Sequence, residues 1–168
     1  MLPFLDSDDD IYLNLAIVIV IIGALGKSNR GSFKINNSKL HVFLYLLKNP
    51  VVLNKVLGLC GKGSVLLSDI DSYSIISVSP NIDPLFDRES LKELLCILVV
   101  KNLITVVHKK NDGFFYELSE EGIATLASLR EGYFSRVSEL CDQLRNIINM
   151  SDSQLNQTLN QIIKKESA

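Results

Sequence analysis

The fold is decided by residues 87–129, DRESLKELLCILVVKNLITVVHKKNDGFFYELSEEGIATLASL. Asp87 suits the N-cap of a helix, because its carboxylate accepts a backbone N–H that would otherwise lack a partner. The helix predicted after it spans Arg88–Val100. Apolar residues recur in it at intervals of three and four and form one stripe: Leu91, Leu94, Leu95, Leu98 and Val99. This pattern predicts a helix with one buried face.

Two short extended segments follow this helix. Leu103–His108 (LITVVH) is rich in β-branched residues and Phe114–Leu118 (FFYEL) in aromatic ones, which is typical of strands. Lys109–Gly113 (KKNDG) lies between them and contains turn formers, so the two segments are expected to pair as a hairpin. Ser119 then suits the N-cap of another helix. The order helix, hairpin, helix is typical of a winged helix, which we predict for residues 87–129.

The N-terminal part contains a long apolar segment, Ile11–Leu25 (IYLNLAIVIVIIGAL), with Asp10 as its N-cap and Gly26 after it. A helix there is apolar on nearly every side, so it must be enclosed by its own domain or by another chain. The segment is shorter than the roughly 20 residues that cross a bilayer, and it contains Asn14. We therefore expect a buried or subunit-contact helix and no membrane segment.

Two further helices are predicted between this segment and Asp87. The first is capped by Ser38 and broken at Asn49-Pro50, and the second covers about Val51–Leu59. Between Val65 and Phe86 the sequence alternates weakly, and two prolines, Pro80 and Pro84, exclude a continuous helix. We expect a strand or an ordered loop there.

The C-terminal part is predicted to be helical. Apolar residues from Leu126 to Ile147 step by three and four, which predicts one long helix continuing to about Asn149. Ser151 and Gln154 then form a capping box, in which each residue's side chain satisfies the other's backbone N–H, for a last amphipathic helix.

The predicted fold class is α+β, mostly helical: a winged helix-turn-helix with an apolar N-terminal helix and a C-terminal helical extension. Residues 1–149 are expected to form the winged-helix domain with its N-terminal helices and long C-terminal helix. Residues 150–168 add the terminal amphipathic helix to the same compact unit. A chain of 168 residues is long enough for one domain with a real core.

Charge and cysteine content limit the classes of partner. The 17 basic and 19 acidic residues give a net charge of −2, which supplies no general attraction to nucleic acid, so any DNA contact must be local. Three cysteines, an odd number, lie far apart among apolar neighbours: Cys60, Cys96 and Cys141. Free thiols in a reducing cytoplasm are therefore expected.

The motifs argue against an enzyme. The only histidines, His41 and His108, have no Cys, Asp or Glu at metal-binding spacing, and no serine lies in a Gly-x-Ser-x-Gly elbow. Gly61–Ser64 (GKGS) lacks the first glycine of a phosphate-binding loop and is interpreted as a turn. We expect no catalytic, cofactor-binding or metal-binding residue.

The winged helix offers one candidate contact surface. Basic and amide side chains lie on or beside its first helix and in its turn: Arg88, Lys92, Lys101, Lys109, Lys110 and Asn111. These residues can meet phosphates or a protein partner. Because Glu89 and Glu93 lie on the same helix, protein contact is favoured over DNA contact.

The apolar helices offer a second one. Six residues represent their stripes: Ile17, Ile21, Leu140, Leu144, Leu155 and Leu159. Such stripes pack either within the chain or against another subunit, and the sequence leaves both open.

Several stretches together resemble a known family: Leu2–Leu5 (LPFL), Asp8–Leu13 (DDDIYL), Phe43–Pro50 (FLYLLKNP), Asn81–Asp87 (NIDPLFD) and Tyr116–Ser119 (YELS). The chain resembles the small middle components of ABC-three-component systems, the Lamassu-type anti-phage defence operons. The resemblance implies a cytoplasmic, non-catalytic accessory subunit in bacterial anti-phage or anti-plasmid defence. It would link or regulate an SMC-like ATPase and a nuclease-type effector, with DNA touched only within the complex.

The residues alone also allow another class of protein. In a DNA-binding winged-helix transcription regulator, Arg88–Val100 would be the recognition helix and Lys109–Gly113 the wing. Such a protein would bind duplex DNA without any partner.

Overall fold

The chain has a mostly helical α+β fold, as predicted. The structure is a computed structural model that describes residues 10–69, 71, 83–85 and 87–166. These residues form seven α-helices, a short 3-10 helix and one antiparallel pair of strands. In chain order the elements are α1 (Ile11–Leu25), α2 (Asn37–Lys48), α3 (Pro50–Cys60), the 3-10 helix (Asp83–Leu85), α4 (Arg88–Val100), β1 (Ile104–Lys109), β2 (Gly113–Leu118), α5 (Glu120–Ser128), α6 (Tyr133–Leu144) and α7 (Asp152–Glu166).

Helix α1 is the centre of the core. Its N-cap is Asp10, whose carboxylate accepts from the backbone N–H of Leu13, as the sequence predicted. It packs against α2, α4, α5, α6 and β2, so that apolar residues on all its sides are buried. The chain therefore covers its own apolar helix.

In the part of the chain that the structure describes, no single helix is long and apolar enough to cross a membrane. Helices α2 and α3 reach the necessary length and composition only when they are taken together, and the pair is bent by 117°.

Helices α2 and α3 start and stop at polar and special residues. The cap of α2 is Asn36, whose Oδ1 accepts from the Lys39 backbone N–H at 2.9 Å, so the prediction of Ser38 as its cap was wrong by two residues. Both residue types can cap a helix, and the sequence pattern does not rank them. Pro50 begins α3, where its missing N–H costs nothing, and Gly61 ends it with a φ of 62°.

Helix α4 has the predicted bounds. Its cap Asp87 accepts from the backbone N–H of Ser90 at 3.2 Å. Four members of the predicted stripe are buried: Leu91, Leu94, Leu95 and Leu98. The fifth, Val99, is 42% exposed, so its inclusion in the buried stripe was wrong. It lies on the side of the helix that the other described elements leave partly exposed.

The two strands form the predicted hairpin. Lys109 pairs with Gly113, so three residues form the turn between the strands. Gly113 has a φ of 88°, a value that favours glycine. Ser119 caps α5 by accepting from the backbone N–H of Gly122 at 3.0 Å. Helix, hairpin and helix therefore follow one another as the sequence indicated.

One predicted helix is divided into two. Helix α5 ends at Ser128 and α6 begins at Tyr133, so a single helix continuing to Asn149 was wrong. Gly132 lies between them with a φ of 60°, a left-handed value that no α-helix contains. On either side of the break, both α5 and α6 pack on α1.

The last helix begins with the predicted capping box. The Ser151 backbone N–H donates to Gln154 Oε1 at 3.1 Å, and the Gln154 backbone N–H donates to Ser151 Oγ at 3.2 Å. Helix α7 packs on α3 and buries its apolar side, which includes Leu155, Leu159 and Ile162.

The segment before α4 is held by Arg136. Residues 63–68 are irregular, and the Arg136 guanidinium donates to the Leu66 carbonyl oxygen at 2.7 Å and to Asp71 at 2.8 Å. Burial favours the neutral form of Asp71, but hydrogen bonds from Ser68 and Arg136 outweigh it and lower its pKa. Most of the strand or ordered loop predicted between Val65 and Phe86 lies outside the described residues.

Candidate partner-contact groove

An open apolar groove runs between α4, the hairpin and the start of α2. Its volume is about 580 Å³. Its lining is mainly apolar, with polar and charged groups toward the N-terminal ends of α2 and α4: Asn37, His41, Arg88, Glu89, Leu91, Lys92, Leu95, Cys96, Val99, Val100, Val106, Phe114 and Tyr116. We call this feature the α4–hairpin groove.

One face of the hairpin forms a wall of this groove. Successive side chains of a strand point to opposite faces, so Ile104, Val106 and His108 share a face with their partners on β2. At one end of that face Ile104 is buried in the core. Farther along, Val106 and Phe114 are each about half exposed. The face thus leaves the core and opens into the groove while remaining apolar.

Helix α4 supplies the opposite wall. Leu94 and Leu98 point into the core, whereas Cys96 and Val99 are exposed beside the groove. Val100, in the last turn, is 85% exposed. A contiguous group of exposed apolar side chains is costly in water and commonly marks a surface that another protein covers.

The polar residues at the start of α2 are already engaged within the chain. The Tyr116 hydroxyl donates to Asn37 Oδ1 at 2.7 Å, and burial raises the tyrosine pKa although this hydrogen bond acts the other way. His41 is 8% exposed, and its Nε2 donates to the Leu85 carbonyl oxygen at 2.8 Å. The Tyr116 hydrogen bond thus joins β2 to α2, and the His41 hydrogen bond joins α2 to the 3-10 helix.

The six residues predicted for DNA or partner contact lie in three places. Arg88 and Lys92 line the groove with Glu89 between them. Lys101 is the exposed C-cap of α4, about 13 Å along the helix axis from Lys92, and does not line the groove. Lys109, Lys110 and Asn111 are exposed at the hairpin end.

The six residues predicted for subunit contact lie inside the chain's own core. None is more than 3% exposed: Ile17, Ile21, Leu140, Leu144, Leu155 and Leu159. They pack within this chain, so no surface of them is open to a partner in this conformation.

The groove walls were not found from the sequence. The exposed apolar residues of the walls lie next to strongly apolar stripes: Val100, Val106 and Phe114. A sequence does not distinguish a valine that is buried from one that is exposed. The one available signal is that apolar residues follow one another without alternation at Val106–Val107 and at Phe114–Tyr116, whereas a half-exposed hairpin usually alternates. Among the described residues, no group of three or more His, Cys, Asp or Glu side chains is placed to hold a metal ion.

The relative reactivity of the three cysteine thiols tests whether this groove is exposed. Cys141 is fully buried, and burial raises its pKa to about 12, which removes the reactive thiolate at neutral pH. Cys60 is half-buried with its Sγ 3.7 Å from Met150 Sδ, whereas Cys96 is exposed in the groove. In the native chain, iodoacetamide is expected to modify Cys96 first and Cys141 only after unfolding, as followed by peptide mass spectrometry. Equal native rates at Cys96 and Cys141 would contradict the placement of α4 and α6.

The comparisons with known proteins give one match. A family model described as "ABC-three component (ABC-3C) system Middle Component 4" matches residues 25–157. The matched range includes both walls of the α4–hairpin groove and the start of α2. No curated protein and no solved structure shows a significant similarity to the chain.

Proposed function

Since the chain belongs to the Middle Component 4 family of ABC-three component systems, we propose that it is a non-catalytic subunit that docks another protein of its system in the α4–hairpin groove. A component of a multi-protein defence system implies partner proteins. The groove supplies a surface for one of them that the described part of the chain leaves apolar and uncovered.

One observation carries this proposal: the outer side of α4 is apolar where it faces the hairpin. In a winged helix that reads DNA, the helix before the hairpin presents polar and basic side chains to base edges. Here Cys96, Val99 and Val100 occupy that side, with Phe114 opposite them. Aromatic side chains, Phe among them, are enriched in the apolar centres of protein interfaces, from which charged residues are depleted.

The finer parts of the proposal rest on the sequence resemblance. We propose that residues 87–129 act as a winged-helix docking module, that the system is of the Lamassu type, and that the chain works in the cytoplasm. Its partners would be an SMC-like ATPase and a nuclease-type effector. Recovering and identifying the partner proteins tests the last of these assignments and, through it, the type of system.

The rival function, a DNA-binding winged-helix transcription regulator, needs base-reading side chains on α4. Arg88 and Lys92 are available there, but Glu89 and Glu93 lie beside them and oppose phosphate. Sequence-specific binding of a duplex operator by the isolated chain would favour the regulator over the docking subunit.

The docking proposal predicts loss of the partner when the groove becomes charged. The double variant Val100→Glu, Phe114→Glu places two carboxylates where apolar surface is to be buried, which is costly without a counter-charge. Co-expressed with the proteins encoded beside it, the tagged variant is expected to recover at least about tenfold less partner than the natural chain. The recovered partner is quantified on gels or by mass spectrometry.

A matched control is available elsewhere on the surface. Leu59 is 47% exposed and Leu66 is 88% exposed, and neither lines the groove. Leu59→Glu with Leu66→Glu makes the same change of charge and should leave recovery unchanged. In addition, the partner should slow iodoacetamide labelling of Cys96. A folded groove variant that retains its partner, or unchanged Cys96 labelling, would rule out this groove as the docking site.

A further inference from the structure

The hairpin face that points away from the groove carries a second surface. Val107, Phe115 and Glu117 lie on this face, since they alternate with the residues that line the groove. The loop between α1 and α2 packs against it: Lys27 and Phe33 form an isolated antiparallel bridge, and the Phe33 ring stacks on Phe115 at 5.4 Å between centroids. The loop and the hairpin thus form one surface.

Two lysine side chains lie close to the aromatic pair Phe33 and Phe115 in this surface. Lys27 Nζ lies 5.0 Å and Lys109 Nζ lies 5.1 Å from the centroid of Phe33, both within the range of a cation–π contact. The two ammonium groups are therefore no more than about 10 Å apart. Lys27 also forms a salt bridge with Glu117, which fixes the loop on the hairpin.

Three further features leave a local excess of positive charge. Arg30 is exposed at the tip of the loop, three residues from both Lys27 and Phe33, so its Cα lies within about 10 Å of theirs. Lys110 is exposed in the hairpin turn next to Lys109, and the exposed Asp112 of the same turn offsets one of the positive charges. Among the described residues, Arg30, Lys109 and Lys110 form no salt bridge. We call Lys27, Arg30, Lys109 and Lys110 the hairpin-end basic surface.

We propose that the hairpin-end basic surface binds the phosphate backbone of duplex nucleic acid without reading its sequence. In each strand of a duplex one phosphate occurs for every 3.4 Å of helix axis, so cations no more than about 10 Å apart can meet neighbouring phosphates of one strand. Asn111 in the same turn is exposed and adds a neutral hydrogen-bond donor, which phosphate contacts also use. This inference goes beyond the docking function and does not depend on it, because the groove lies on the other face of the hairpin.

The salt dependence follows from the number of free cations. Lys27 is already paired, which leaves Arg30, Lys109 and Lys110 to displace counterions from the duplex. With about three phosphates neutralised, affinity should fall roughly 40-fold between about 50 and 200 mM salt. Binding at low salt is measured by fluorescence anisotropy with a labelled 30-base-pair duplex and a second duplex of unrelated sequence.

The variant Arg30→Glu, Lys110→Glu reverses two of these charges and leaves the packed residues Lys27, Phe33 and Lys109 in place. It is expected to bind more weakly at low salt, and its remaining affinity should fall only about 3.5-fold over the same salt range. Lys62→Glu with Lys165→Glu is the matched control, since both lysines are exposed at the α3–α7 side and the net charge is the same. The control should keep the steep salt dependence.

Three results would overturn this inference. The first is an absence of salt-dependent binding by the natural chain. The second is equal weakening in the hairpin-end variant and the control, which would reflect net charge alone. The third is displacement of the duplex by poly-L-glutamate at equal charge concentration, which would assign the surface to an acidic protein instead. A circular dichroism melt of each variant shows that any loss of binding occurs in folded protein.

Discussion

Leu98→Ala is expected to lower the free energy of unfolding by about 2 to 5 kcal/mol. Leu98 is fully buried on the side of α4 that faces the core, where truncation to alanine removes apolar contacts and leaves a cavity. Leu94 and Leu95 on the same helix are 5% and 6% exposed, so their alanine variants should fall in the same range. Urea denaturation followed by circular dichroism measures each value.

Val100→Ala is the control for this series. Val100 lies in the same helix but is 85% exposed, so the change should stay within about 0.5 kcal/mol. If Leu98→Ala costs no more than Val100→Ala, the orientation of α4 on the core is wrong, and the groove on its other side loses its basis.

Gly122→Ala is expected to destabilise the fold by about 1 to 3 kcal/mol, although alanine is normally the better helix former. A Cβ at Gly122 would overlap the Leu103 carbonyl oxygen, which is main chain and moves only if β1 or α5 moves. That carbonyl also accepts from the Ser119 backbone N–H at 3.0 Å, so a shift would disturb the start of α5. Thermal and urea denaturation both report the change.

The same substitution at Gly58 should have the opposite sign. Gly58 lies in α3 with nothing within 4 Å of an added Cβ, so alanine there gains helix propensity without a collision. An increase of about 0.5 to 1 kcal/mol in the free energy of unfolding is expected. Equal effects at the two glycines would mean that α5 does not approach β1 as closely as the structure shows.

The elements best predicted from the sequence are those in which two independent signals coincide. For α4, the Asp87 cap and the leucine stripe both place its start, and its bounds were correct. For α7, the Ser151–Gln154 capping box gave the start in the same way. The hairpin was found because strand-forming residues flank a turn that contains glycine.

The division between α5 and α6 could not be predicted from spacing alone. Apolar residues continue at intervals of three and four across the break at Gly132, because both helices bury one side against the same core. The periodicity of apolar residues indicates which residues are buried, but it does not indicate where one helix ends and the next begins. A single glycine was too weak a signal to overrule it.

The candidate site was predicted only in part for a related reason. Arg88 and Lys92 were chosen because charge is visible in a sequence, and both line the groove. The apolar walls were missed because Val99 and Phe114 are of residue types that usually lie in a core. Only tertiary packing decides which apolar side chains remain exposed.

The central position of α1 has a consequence for synthesis of the chain. Helix α1 is synthesised before the elements that pack on it, and α6, which covers one of its sides, ends only at Leu144. At about 5 to 20 residues per second, the ribosome needs roughly 6 to 24 s to pass from Leu25 to Leu144. During that interval an apolar helix has no complete cover, so a chain truncated before α6 should aggregate.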